Sequence, residues 1–347
     1  MDSILLIPRK PSDMLKNMIN STIENKKVSI ASNNTTLINF QNKKIILAIE
    51  LDEFGFYTET INFIKKLYEQ GFDALKNSSA IILIHGSSDL YTKSCAQNII
   101  FHMNQLGCSF IGHPLIEAIG NLRNFLTMQK VIKSSLEDVC LHCCKELGKR
   151  FFEFEIQKFK QPKISVLHSS NPKTSNTISY WNMIKKELNY NNIEEIHIEN
   201  GAIRDCHGCP FTMCLHYGKQ NSCFYGGFIV DEVYPAILDS DIIIWLCPNY
   251  NDALSANLTA VVNRLTAIYR TTKFYNKIFY AVIVSGNSGS DTIAKQLISA
   301  LNMNKSFYLP PYFCTMATAN DHKAIFEVPN IYTNSKKFAQ IIHQQFD

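Results

Sequence analysis

Between Ser169 and Thr177 the chain reads SSNPKTSNT, a run of hydroxyl and amide side chains. It follows an apolar stretch ending at His168 and precedes an amphipathic one. Such a loop at a helix amino terminus offers a phosphate what it needs: backbone N–H groups with no intrahelical partner, the positive end of the helix dipole, and side-chain donors. Ser169, Ser175, Asn176 and Thr177 supply donors here, and Lys173 adds a charge. Taken alone, the same residues also make an ordinary helix cap.

Two further loops stand in comparable places. An apolar run over Asp241–Cys247 opens into PNYNDALSANLTAVVNRL, and another over Ile278–Ser285 opens into GNSGSD. In a parallel α/β sheet, ligands sit outside the carboxyl ends of the strands, so three polar or glycine-bearing loops at three such ends converge on one crevice. A planar heterocycle with a phosphate tail fits that crevice.

The elements that must carry these loops follow from hydrophobic periodicity. Short runs rich in Ile and Val alternate with longer amphipathic stretches, the pattern of a parallel sheet covered on both faces. Strands are predicted near Ile4–Ile7, Val28–Ile30, Ile45–Glu50, Ala80–His85 and Ser109–Gly112, with helices at Ser12–Ile23, Thr58–Gln70, Tyr91–Leu106 and Ala118–Leu147. A second series follows, with strands at Ile164–His168, Ile193–Ile198, Asp241–Cys247, Ile278–Ser285 and Tyr308–Phe313. Its helices are predicted at Asn176–Leu188, Ala253–Tyr269, Asp291–Leu301 and Ser335–Phe346. The fold class is therefore α/β, two doubly wound parallel-sheet domains over residues 1–155 and 163–347. Pro162, in the segment QKFKQPK, marks the boundary, because the residue before a proline is driven out of the helical region.

Composition narrows the function classes. Formal charge is only +4, and Lys and Arg are scattered through the chain. That leaves no electrostatic footprint for nucleic acid. No stretch reaches the roughly 18 uncharged residues needed to span a bilayer, and the first eight residues are too short for a signal-peptide core. The expectation is a cytoplasmic protein with no membrane partner, in which the eleven cysteines are thiols rather than a disulfide framework.

With the three loops in view, residues 163–320 resemble the NADPH-dependent FMN reductases, flavoproteins of flavodoxin-like fold. The resemblance implies that Ser169, Lys173, Ser175, Asn176 and Thr177 hold the FMN phosphate. It implies that Pro248, Asn249, Tyr250 and Asn251 pack against the isoalloxazine ring, and that Ser285, Gly286, Asn287 and Gly289 complete the site. It further implies an enzyme that takes a hydride from NADPH or NADH and passes electrons through FMN to an acceptor, working as a homodimer. The flavin carries the chemistry, so no catalytic side chain is assigned.

Cys206, Cys209, Cys214 and Cys223 lie within eighteen residues, in a stretch with Gly208, Pro210 and Gly218 to turn it. Four such thiols can close on one soft metal or cluster. The stretch is similar to the cysteine motif of iron-sulfur flavoproteins, which implies a [4Fe-4S] cluster beside FMN and an electron carrier between protein partners as the alternative function. The third cysteine, however, follows the second after four residues instead of two. Zinc, with His207 or His216 assisting, and free thiols lining the crevice are the competing readings. A protein that only binds a nucleotide and regulates something is a third class of function. Cys140, Cys143 and Cys144 spread around a helix axis and read as packing residues.

The two halves also invite comparison with each other. Ser79–Ser94 superposes without a gap on Ser240–Ser255, which suggests an internal duplication. The loop expected to be the counterpart of Ser169–Thr177 is Leu51–Glu59, directly after the strand Ile45–Glu50, which carries Asp52, Glu53 and Glu59 and no cation. The first domain is then expected to be a degenerate, structural copy that rejects FMN.

Overall fold

Runs such as Ile45–Ile49 and Ile242–Cys247 are too short for helices and too continuously apolar for a sheet wetted on one side; every residue in them is at most 1% exposed. In the computed structural model, which describes residues 2–32, 39–199, 201 and 203–347, they form the centres of two parallel sheets. The chain divides into two units, Met1–Glu155 and Ile156–Asp347.

The first unit holds β1 (Asp2–Ile7), β2 (Ser29–Ser32), β3 (Lys43–Glu50), β4 (Ser78–Gly86) and β5 (Cys108–Ile119), in the order β2-β1-β3-β4-β5. Its helices are α1 (Asp13–Ile23), α2 (Thr58–Gln70), α3 (Thr92–Gln105), α4 (Leu126–Ile132) and α5 (Leu136–Glu153). Helices α1 and α5 share one core with β3 and β4, in which Leu15, Met18, Cys140 and Cys144 are buried together. Their approach depends on Gly148, where a Cβ would stand 2.0 Å from the Thr22 carbonyl oxygen.

The second unit holds β6 (Ile164–His168), β7 (Ile193–His197), β8 (Ile242–Pro248), β9 (Ile278–Ser285) and β10 (Cys314–Thr318), in the order β10-β9-β8-β6-β7. Its helices are α6 (Asn176–Leu188), α7 (Phe211–Gly218), α8 (Tyr234–Asp239), α9 (Ala256–Arg264), α10 (Thr266–Tyr269), α11 (Ser290–Leu297) and α12 (Ile331–His343). Counted within each unit, both orders are 2-1-3-4-5, all parallel, the flavodoxin-like arrangement with its switch point between the first and third strands. Among the described residues no helix is long and apolar enough to cross a membrane.

Three sequence expectations are corrected here. The single helix over Ala118–Leu147 does not form: β5 runs on to Ile119, and Ser135 starts α5 afresh by accepting the Asp138 N–H at 3.1 Å. The last strand is Cys314–Thr318 and not Tyr308–Phe313, because Pro310 and Pro311 have no N–H to give a ladder. Most consequentially, the gapless superposition of Ser79–Ser94 on Ser240–Ser255 pairs a fourth strand, β4, with a third strand, β8. By position in the sheet, β3 corresponds to β8 and β1 to β6. The counterpart of the Ser169–Ser175 loop is therefore Pro8–Ser12, with Arg9 and Lys10, and not the acidic Leu51–Glu59.

Candidate functional site

Strands β9, β8 and β6 are neighbours in the second sheet, so the loops leaving their carboxyl ends emerge side by side. Side chains tie the three together. Ser169 Oγ lies 2.6 Å from Ser255 Oγ, joining the loop after β6 to the loop after β8. Asn249 Nδ2 donates to Ser285 Oγ at 3.1 Å and to the Ser288 carbonyl at 3.0 Å, joining the loop after β8 to the loop after β9.

In the loop before α6, Ser175 is the helix cap, its Oγ accepting the Ile178 N–H at 3.3 Å. Thr177 is buried, and Lys173 is exposed on a turn closed by its own N–H to Asn171 Oδ1 at 2.9 Å. Asn176 gives both amide hydrogens to the Ala319 and Asp321 carbonyls, at 3.1 and 2.7 Å. Its side chain therefore clamps the segment after β10 and has no donor left for a ligand. Ser170, which the sequence reading passed over, is 1% exposed and its Oγ has no partner. A buried hydroxyl left unpaired costs stability unless something docks on it. Asn176 Oδ1 and Asn249 Oδ1 are likewise buried without partners. This concentration of orphaned polar atoms in the crevice loops suits the binding of a polar ligand.

The loop after β8 is a tight turn. Tyr250 and Ala253 exchange backbone hydrogen bonds at 3.4 and 3.1 Å, with Asn251 at φ 54° and Asp252 at φ 56° between them. Two successive left-handed residues make a type I′ turn, for which Asn and Asp are suited. Pro248 is buried at its base, Asn251 is exposed, and Tyr250 stands out from it 55% exposed, so core packing does not account for that ring. In the third loop Ser285 is buried, with Oγ 2.7 Å from Ser290 Oγ, and Asn287 is exposed. Gly286 lies close against Asn320, and Gly289 takes φ +83°, a left-handed angle that favours glycine, where a Cβ would displace the Asp252 carboxylate, whose Oδ1 would lie 2.2 Å away.

Below the first loop, the rings of His168 and His197 stack with centroids 4.8 Å apart and 9° between planes. Burial, and then His197, push the His168 pKa below the ordinary histidine value. Burial raises the pKa of nearby Glu195, but hydrogen bonds from Trp181 and Lys185 outweigh it and keep the carboxyl below its usual range.

Cys206, Cys209, Cys214 and Cys223 all line one cavity of about 100 Å³, together with Arg264. Arg264, only 3% exposed, donates to the Arg204 carbonyl at 3.3 Å and the Gly226 carbonyl at 2.7 Å, thereby holding both ends of the cysteine loop. Asn263 adds a bond to Asp205 Oδ1 at 2.9 Å. The donor chemistry suits a soft metal. The geometry as it stands does not: the thiols are all free, and among the described residues no three His, Cys, Asp or Glu side chains are gathered closely enough to hold an ion.

Residues 162–321, just under half of the chain, match the family described as NADPH-dependent FMN reductase. That span meets the resemblance read from residues 163–320. Solved structures of similar fold include the Trp repressor binding protein from Bacillus subtilis, 17% identical over 50% of this chain and 96% of that one, with a TM-score of 0.35. An FMN-dependent NADH-azoreductase from Bacillus anthracis in complex with FMN is 10% identical over 52% of this chain and 99% of that one, at 0.34. A flavodoxin, WrbA-like protein from Agrobacterium tumefaciens is 14% identical over 52% and 97%, at 0.32. With scores this low, none of these likenesses bears on function. No curated protein matches the chain.

Proposed function

We propose that this chain is an NAD(P)H-dependent flavin oxidoreductase that binds FMN in the switch-point crevice of its second unit. The observation that carries the reading is the buried, unpartnered hydroxyl of Ser170 in the loop before α6, flanked by two loops bonded to one another. The family match over residues 162–321 supports it. FMN, when bound, accepts a hydride from a nicotinamide nucleotide and passes on the electrons. The chain's own part is positional. Ser169, Ser170, Ser175 and Thr177 with the amino terminus of α6 hold the phosphate, and Lys173 contributes at long range. Pro248, Asn249, Tyr250 and Asn251 border the ring on one side; Ser285, Gly286, Asn287 and Gly289 close the other. We expect a homodimer in the cytoplasm, in keeping with the resemblance and the reduced cysteines, with the first unit serving a structural role.

The test is anaerobic: protein loaded with FMN is mixed with NADPH or NADH and flavin absorbance is followed. Bleaching within seconds supports the enzyme. A protein that takes up no FMN overturns it.

A second reading, an electron carrier with a [4Fe-4S] cluster, rests on the four thiols sharing one cavity. It requires the loop to draw its thiols together on metal. Iron and sulfide analysis of anaerobically prepared protein separates the two readings.

A further inference from the structure

His168 is a histidine for which the flavin chemistry has no use, yet its placement is specific. It ends β6 and directly precedes Ser169, the first residue of the proposed phosphate loop. Its ring is 5% exposed, stacked on His197, and its Nδ1 has no hydrogen-bond partner. A buried imidazole nitrogen left unpaired is costly, as is any buried polar atom in that state. Two other side-chain atoms from the same short segment, Ser170 Oγ and Asn176 Oδ1, are orphaned with it.

The groups that face His168 are few. On β7 they are His197 and Glu195, and Glu195 Oε1 accepts from Trp181 Nε1 and Lys185 Nζ of α6, each at 2.9 Å. The Ser170 backbone is a further polar neighbour, hydrogen-bonded to the imidazole so as to favour its charged form slightly. Glu195 raises the His168 pKa, but less than burial and His197 lower it, so a further anion is needed to hold a proton on the imidazole. A phosphate dianion docked in the next few residues is such an anion, and its charge favours the imidazolium.

We propose that His168 is a positioning residue for the flavin phosphate, taking one proton from solvent when the phosphate occupies the loop and thereby offsetting its second charge. The proposal rests on the FMN reading above. The proton balance is explicit: one proton leaves buffer and is held on the imidazole for as long as the ligand stays bound. Nothing is oxidised or reduced. Because a phosphomonoester completes its second ionisation near pH 6, proton uptake measured above pH 7 belongs to the protein and not to FMN.

Calorimetry tests it on the full chain. FMN is titrated into apo-protein at pH 7.5 in two buffers of different ionisation enthalpy, and riboflavin, which lacks the phosphate, is titrated alongside. The expected result is net uptake approaching one proton with FMN and none with riboflavin. The affinity for FMN should fall by up to about tenfold per pH unit as pH rises through the pKa of the bound imidazole. His168→Phe, which keeps an aromatic ring against His197, should bind FMN more weakly and with a flat pH profile. Equal uptake with FMN and riboflavin, or an unchanged profile in His168→Phe, overturns the proposal. If neither flavin binds, the FMN reading itself fails, an outcome distinct from binding without proton uptake. The riboflavin comparison needs no mutation, so it holds even if the variant does not fold.

Discussion

The backbone N–H of Ser12 donates to a carboxylate oxygen of Glu50 at 2.8 Å. The other carboxylate oxygen lies 2.5 Å from His85 Nδ1, and His85 Nδ1 is also 3.1 Å from Ser12 Oγ. Ser12 caps α1, and Glu50 ends β3, the strand that corresponds to β8. A side chain of the first unit thus takes the place at a helix amino terminus that suits an anion. At the corresponding strand end of the second unit stands Pro248, which has no charge to offer.

This gives a physical reason for one FMN per chain that differs from the acidic-loop alignment. The loop Pro8–Ser12 is basic, but the cavity of about 480 Å³ beside it is lined by Arg9 and Lys10 against three carboxylates, Glu50, Asp52 and Glu53. A phosphate dianion there meets net negative charge. Titration of apo-protein should saturate at one equivalent of FMN per chain, and two equivalents of similar affinity would overturn the assignment of a structural role to the first unit.

Glu50 also sets an acid limit on the first unit. Burial raises its pKa, but hydrogen bonds from His85 and Ser12 outweigh this and leave it below the ordinary glutamate range. A carboxyl depressed on folding stabilises above its unfolded pKa, and the contribution is lost as pH falls through the folded value. Glu50→Gln should therefore destabilise the protein at neutral pH by about 1.5–3 kcal/mol, the worth of a charged hydrogen bond, and much less near pH 3. Thermal unfolding across pH, followed by circular dichroism, measures the difference.

Ser170→Ala removes a buried loop hydroxyl with no internal partner, so it should cost FMN binding and spare the fold. The expected loss is about 1.5–3 kcal/mol, or roughly ten- to 150-fold in Kd. Lys173→Ala, at an exposed position, should cost less than tenfold. Fluorescence titration ranks the two, and the reverse order would place the phosphate elsewhere.

Gly289→Ala forces a Cβ against Asp252 Oδ1 at a backbone angle of φ +83°. That angle is strained for alanine and the Asp252 carboxylate must swing away from the loop after β9, so FMN affinity should drop severalfold while the Tm moves by only a few degrees. Flavin content after gel filtration, beside a melting curve, shows both.

Replacing Cys206 and Cys209 together by serine should leave FMN stoichiometry unchanged, since the thiol cavity and the crevice loops share no side chain. If wild-type protein prepared anaerobically contains iron, the variant should contain none. Absence of iron and zinc from the wild type removes the metal reading.

Much of this was legible in the sequence because it is local. Each proposed FMN loop directly follows an apolar run, and turn-forming residues announce its start, so the ends of β6, β8 and β9 could be placed within a residue or so. What escaped was whatever depends on packing. β4 and β8 are both central strands buried on two faces, so composition makes them look alike although they hold different positions in their sheets. Ser170 reads like any loop serine, and only the absence of a partner around its Oγ distinguishes it. Asn176 has the composition of a free donor, and only the fold brings the Ala319 and Asp321 carbonyls to its amide.

Helix α9 begins three residues after the turn that presents Tyr250 and ends at Arg264, the residue pinning both ends of the cysteine loop. Nine helical residues make a strut about 13 Å long. Its near end is gripped at Ser255 by Ser169, its far end through Arg264 and Asn263. One short helix thus fastens the loop before α6 at one end and the cysteine loop at the other.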